Sequence, residues 1–126
     1  MENNNTTKTI ATCLKQLGVP ASILGYDYLK CGIYEVINDG TLIHKMTKRL
    51  YPLIADKCDT TASSVERAIR HAIETSFARG KFDDSRNKLY EHYFGQTIDA
   101  EKAKLTNSEF IAAIAEAIRF DISCTN

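Results

Sequence analysis

The stretch from Thr61 to Gly80, TASSVERAIRHAIETSFARG, constrains the fold of this chain more than any other. On a 3.6-residue wheel, Val65, Ala68, Ile69, Ala72, Ile73 and Ser76 share one side, while Ser63, Glu66, Arg67, Arg70, His71 and Glu74 share the opposite side. This predicts a two-faced helix over about Ala62 to Arg79 whose apolar side must find other chain to pack against. Thr61 is placed to cap it, since a threonine hydroxyl can accept from an unpaired N–H of the first turn, and Gly80 ends it. The small residues after Thr61 let the start of the helix come close to another surface.

The rest of the chain is also periodic at helical spacing. Ile10, Cys13, Leu14 and Leu17 fall at i, i+3, i+4 and i+7, and Gly18 with Pro20 stops that helix. A second helix is expected over about Tyr26 to Ile37, with Leu29, Ile33, Val36 and Ile37 on one side and Asn38-Asp39-Gly40 as the following turn; Gly32 weakens it. A third helical region starts near Leu42 and carries Ile43, Met46, Leu50, Ile54 and Ala55. Pro52 inside it requires a kink, or a new helix with the proline in its first turn. A fifth helix is expected over Ser85 to Phe94, before Gly95. The last runs from Ser108 to about Phe120, with Thr106 and Glu109 at capping-box spacing and Phe110, Ala113, Ile114, Ala117 and Ile118 as its buried stripe. No segment alternates as a strand would, so the expected fold is all-α, about six helices in a single domain over residues 1–126.

Composition narrows the function. At 126 residues and 44% apolar content the chain can build one core. Sixteen basic residues balance sixteen acidic ones, so no global field drives it onto nucleic acid or an anionic membrane, and any such binding must be local. Cys13, Cys31, Cys58 and Cys124 form no Cys-x-x-Cys pair and have no histidines at zinc-finger spacing; three sit among apolar residues and read as small buried thiols. No metal or cofactor is expected. The polar MENNNTTK start lacks the apolar core of a signal peptide, and no apolar run reaches membrane-spanning length. The expected setting is the cytoplasm, with no membrane partner. Paired carboxylates, a nucleophile with a base and a glycine-rich phosphate loop are all missing from the pattern, and His71, near Glu74, reads as a surface or packing residue. An enzyme is not expected.

LYPLIADKCD precedes the two-faced stretch, and together they read as a helix-turn-helix over about residues 50–80. Ile54 and Ala55 bury the first helix, Cys58 lies near the turn, and Val65 and Ala68 lock the second helix. In such a unit the second helix lies in the DNA major groove with its N-terminal residues at base edges. Arg67 can offer two parallel donors to guanine, and Glu66 can accept from cytosine N4, which favours selection of a sequence over simple charge attraction. Between Leu42 and Gly80 seven Lys or Arg face four acids, an excess of three, so phosphate attraction should be modest. A plainer alternative stays open. Glu66 with Arg70 and Arg70 with Glu74 are i, i+4 pairs that would support any solvated surface helix.

TTASSVERAIRHAIE followed by ARG, with LYPLIA before it, GVPASILGYDYL near the start and KAKLTNSEFIA near the end, closely resembles the DNA-binding effector domain of the sporulation master response regulator, the stage 0 sporulation protein A family. The likeness covers roughly residues 10 to 120 in the same order. It implies binding as tandem, head-to-tail copies to TGTCGAA-like promoter elements in double-stranded DNA. It also implies base reading by Glu66 and Arg67, with Ser63, Arg70 and His71 on or beside the DNA surface; Thr61 and Ser64, at the start of the same helix, complete the expected DNA-binding set. Ser64 stands where that family typically carries a further DNA-contacting arginine, which serine cannot replace in reach or charge. The chain is several residues longer than the family pattern between Gly80 and Lys102, a region the family uses to contact an RNA polymerase sigma factor, and Leu105 replaces a usual proline. The phosphoacceptor receiver domain is expected to be absent, since 126 residues cannot hold both. A module that keeps the fold but binds a protein partner, for example as an antagonist of a full-length relative, is the competing expectation.

Overall fold

In a computed structural model that describes residues 4–80, 84–95 and 105–125, six α-helices follow one another: α1 (Asn4–Gln16), α2 (Leu24–Asn38), α3 (Tyr51–Lys57), α4 (Ala62–Gly80), α5 (Asp84–Phe94) and α6 (Asn107–Thr125). No strand occurs among the described residues. The expected all-helical architecture is present, with three differences in extent. α1 begins six residues before Ile10, because Thr6 is buried and draws the polar start into the helix. α2 begins at Leu24, and α6 continues five residues past Phe120, where no glycine or proline stops it.

The region after Leu42 resolves as a restart. Gly40–His44 form a short 3-10 turn, Lys45 leaves helical geometry at φ −135°, and Met46–Leu50 form a wider turn with i to i−5 bonds, Leu50 N–H to Lys45 C=O among them at 3.1 Å. Pro52 then falls in the first turn of α3, where the fixed φ of proline suits the helix and its ring meets no preceding turn of the same α-helix. Asp39 holds the turn before this restart by accepting from the Thr41 N–H at 3.1 Å and the Thr41 hydroxyl at 2.6 Å. These bonds hold the Asp39 carboxyl below its ordinary range.

α2 is the central helix and packs against α1, α3, α4 and α6. Two glycines make this possible. At Gly25 an added Cβ would stand 2.3 Å from the Ala68 carbonyl oxygen and 2.7 Å from the Ala72 Cβ, so α4 seats directly on α2 backbone. At Gly32 the Ile54 side chain of α3 takes the space a Cβ would need. Ala68, expected to lock α4 against α3, thus faces α2. The Lys57–Glu35 ion pair and Cys31 packed beside Cys58 continue the α2–α3 seam; burial and then the Cys58 neighbour push the Cys31 thiol up to about 12.

α6 carries Phe110, Ile114 and Ile118 into the core, as expected, but also Ile111 and Ala115, whereas Ala113 and Ala117 are half-buried. Its neighbours explain the shift. α6 packs against α2, α4, α5 and α1, so a single stripe does not account for its burial. Phe94 of α5 stacks on Phe110 with ring centres 5.2 Å apart.

Candidate nucleic-acid interface

α3, the turn at Cys58–Thr61 and α4 form the helix-turn-helix. The turn is closed at its start by a left-handed residue, Asp59 at φ 55°, with the Thr60 N–H reaching the Ala55 C=O at 3.0 Å. This is the Schellman pattern that Gly18 provides after α1, where Val19 N–H bonds Leu14 C=O at 2.9 Å. Aspartate tolerates the left-handed region better than most side chains, so a glycine-free turn still makes the sharp reversal.

Thr61 caps α4 as expected. Its hydroxyl accepts from the Ser64 N–H at 3.2 Å and donates to the Ser64 hydroxyl at 2.9 Å, and its carbonyl accepts from Val65 N–H at 3.0 Å. Ser63 lies 3.4 Å from the same threonine oxygen. The three hydroxyls therefore form one cluster at the helix start, and the Ser64 side chain is engaged in the cap.

The two faces of α4 separate as the wheel predicts. Val65, Ile69, Ala72, Ile73 and Ser76 are buried, and the Ser76 hydroxyl donates to the Leu17 carbonyl at 2.5 Å, tying α4 to the end of α1. Ser63, Ser64, Arg67, Arg70, His71 and Glu74 are exposed. Glu66 is half-buried and its carboxylate accepts from the Arg70 guanidinium one turn on. Of the two i, i+4 pairs expected on this face, Glu66–Arg70 is formed. Arg67 makes no ion pair with any described residue, so its guanidinium is free to meet an external acceptor. The structure thus puts Ser63, Ser64, Glu66, Arg67, Arg70 and His71 on the first three turns of one helix, with Thr61 at its N-cap.

Two residues outside the predicted set bear on this face. Asn107, the first residue of α6, donates from its side-chain amide to the Tyr51 hydroxyl and to the Glu66 backbone carbonyl, each at 3.1 Å. Burial raises the Tyr51 phenol and the Asn107 bond opposes that rise. The capping box Thr106–Glu109 is formed in both directions at 3.1 Å and fixes where Asn107 stands. Nothing in the local sequence pairs residue 107 with 51 and 66; the capping-box spacing was the one available signal that its position is rigid.

The segment expected to meet a sigma factor is described over α5 and Gly95, while residues 81–83 and 96–104 lie outside the described residues. The side chain of Cys124 lies outside them as well. No helix among the described residues is long and apolar enough to cross a membrane.

Residues 10–118 match the family described as "Sporulation initiation factor Spo0A C terminal". That span takes in α2 to α5 whole, most of α1 and α6, the Asn107 clamp and every residue of the exposed α4 face. The family is a DNA-binding regulatory domain rather than a catalytic one, which agrees with a helix-turn-helix whose second helix leaves its polar face open. The chain belongs to this family of DNA-binding sporulation regulators.

Proposed function

We propose that the 126 residues act as a single effector domain that selects TGTCGAA-like promoter elements by laying α4 in the major groove. The observation that carries this reading is the division of labour on α4: an unpaired Arg67 next to a Glu66 carboxylate that Arg70 holds in place. Arg67 needs no internal ion pair broken before it donates two parallel hydrogen bonds to guanine. Glu66, restrained by Arg70, is oriented to accept from cytosine N4, and the same arginine offsets its repulsion from nearby phosphates. Thr61, Ser63 and Ser64 line the approach to the groove, and His71 lies one turn beyond Arg67 at its margin. Tandem copies on adjacent elements, contact with a sigma factor through the segment after Gly80, and a place in the cytoplasm at the nucleoid belong to the same proposal.

The test is binding to a TGTCGAA-containing duplex against a scrambled duplex at two salt concentrations. A specific reader favours the first by at least about a thousandfold and weakens as salt rises. Equal, weak binding to both supports the second reading, a partner-binding antagonist. One observation favours that alternative. The Ser64 hydroxyl is engaged in the helix cap, at the position where the family pattern places a DNA-contacting arginine. Ser64→Arg separates the two: it raises duplex affinity if residue 64 faces DNA and leaves it unchanged otherwise.

A further inference from the structure

The Asn107 amide joins three elements through one nitrogen. Its two hydrogens go to separate acceptors, the Tyr51 hydroxyl on α3 and the Glu66 carbonyl on α4, both at 3.1 Å and both partly shielded from water. The Glu66 carbonyl lies inside a helix, where the backbone ladder uses one lone pair and leaves the second open. A bond to that lone pair fixes how α4 is rotated about its axis at the residue before Arg67. Tyr51, buried at the start of α3, fixes the other end. The clamp also sits against the charged pair of the reading face, since Glu66 and Arg70 both influence the Tyr51 phenol.

Rotation matters more for base reading than for general attraction to DNA. A phosphate contact tolerates a small displacement of a flexible arginine, whereas two parallel bonds to one guanine edge do not. We propose that Asn107 is a positioning residue for sequence recognition, holding the first turns of α4 in the orientation from which Glu66 and Arg67 meet base edges. It touches no DNA itself. This inference rests on the reading of α4 as the groove helix.

The test compares wild-type, Asn107→Ala, Asn107→Asp and Tyr51→Phe proteins on TGTCGAA-containing and scrambled duplexes, beside thermal unfolding of each. Asn107→Asp keeps the size of the side chain and can still accept from the Tyr51 hydroxyl, but it sets a carboxylate against the Glu66 carbonyl. Each Asn107 variant is expected to lower the specific-to-nonspecific ratio at least about tenfold, the scale of one misplaced bidentate base contact, with scrambled-duplex binding nearly unchanged. Tyr51→Phe, which keeps the ring and loses one anchor of the clamp, should lower the ratio by less. In Asn107→Ala the Tyr51 ring resonances should also titrate at higher pH, because the bond that favours the ionised phenol is gone. A role confined to stability would lower binding to both duplexes together, in step with the folded fraction; that result, or an unchanged ratio in folded variants, overturns the proposal. If the Asn107 variants do not fold, an unchanged ratio in Tyr51→Phe overturns it. A wild-type protein without sequence preference removes both this inference and the groove reading, whereas a wild-type preference that the variants retain removes this inference alone.

Discussion

α4 and α6 are each 19 residues long, yet they meet the rest of the molecule in different ways. α4 buries one face, chiefly on α2 and α3 with α6 and α5 at its flanks, and leaves Ser63, Arg67, Arg70, His71 and Glu74 in water. α6 sends Phe110, Ile111, Ile114, Ala115 and Ile118 into the core and is packed by neighbours on several sides. A helix enclosed in this way supplies cohesion. A helix seated on one side supplies a surface, at the cost of needing its seat defined by other elements. The comparison explains why α4 carries the charges and why the device that fixes its orientation, Asn107, belongs to α6.

The largest expected effect tests the enclosed helix. Phe110→Ala removes a fully buried ring stacked on Phe94 and should cost about 3 to 5 kcal/mol of stability in urea unfolding, with duplex affinity lost only in proportion to the unfolded fraction. Gly25→Ala tests the seat of the open helix. The added methyl meets the Ala68 carbonyl and Ala72, so α2 and α4 must move apart, at about 1 to 3 kcal/mol by the same measurement. If Gly25→Ala unfolds like wild type, α4 is not seated on α2 backbone as described. Arg67→Ala reverses the pattern of Phe110→Ala. It should leave the unfolding midpoint unchanged while costing about 1 to 3 kcal/mol on the preferred duplex and relaxing one base position; unchanged binding would remove Arg67 from the reading role. The smallest effect lies in the turn between α3 and α4, where Asp59→Val forces a β-branched residue into the left-handed region and should destabilise by about 1 to 2 kcal/mol, while Asp59→Gly should be nearly neutral in the same assay.

Much of α4 was legible before its neighbours were known. The apolar and charged residues alternate at helical period, Thr61 stands one place before the first turn, and both features act within a few residues, so local physics suffices to place them. The capping box at Thr106–Glu109 was legible for the same reason. The region after Leu42 was only half legible. Pro52 signals an interruption, but whether the chain kinks or restarts depends on how Leu42 and Leu50 reach the core, and both are buried there. The turn after α3 hid its left-handed residue because aspartate occupies that conformation only when the surrounding chain requires it. On the candidate site, Ser63, Arg67, Arg70, His71 and Glu74 were visible on the wheel as exposed, but the exposure of Ser64, the half-burial of Glu66 and the inequality of the two arginines were not. Arg67 and Arg70 look alike in sequence, and only side-chain placement shows one free and the other holding Glu66.

The sequence by itself determined where the long helices run, which side of α4 is wet, and the residue types that side offers to DNA, since periodicity, capping and charge act over one or two turns. Tertiary structure decided the rest: that α4 lies on Gly25, that α6 is packed on several sides, and that Asn107 reaches Tyr51 and Glu66. The two Asn107 bonds join residues 41 and 56 positions apart, and no local pattern encodes a partner at that distance, because the pairing exists only after the helices have packed.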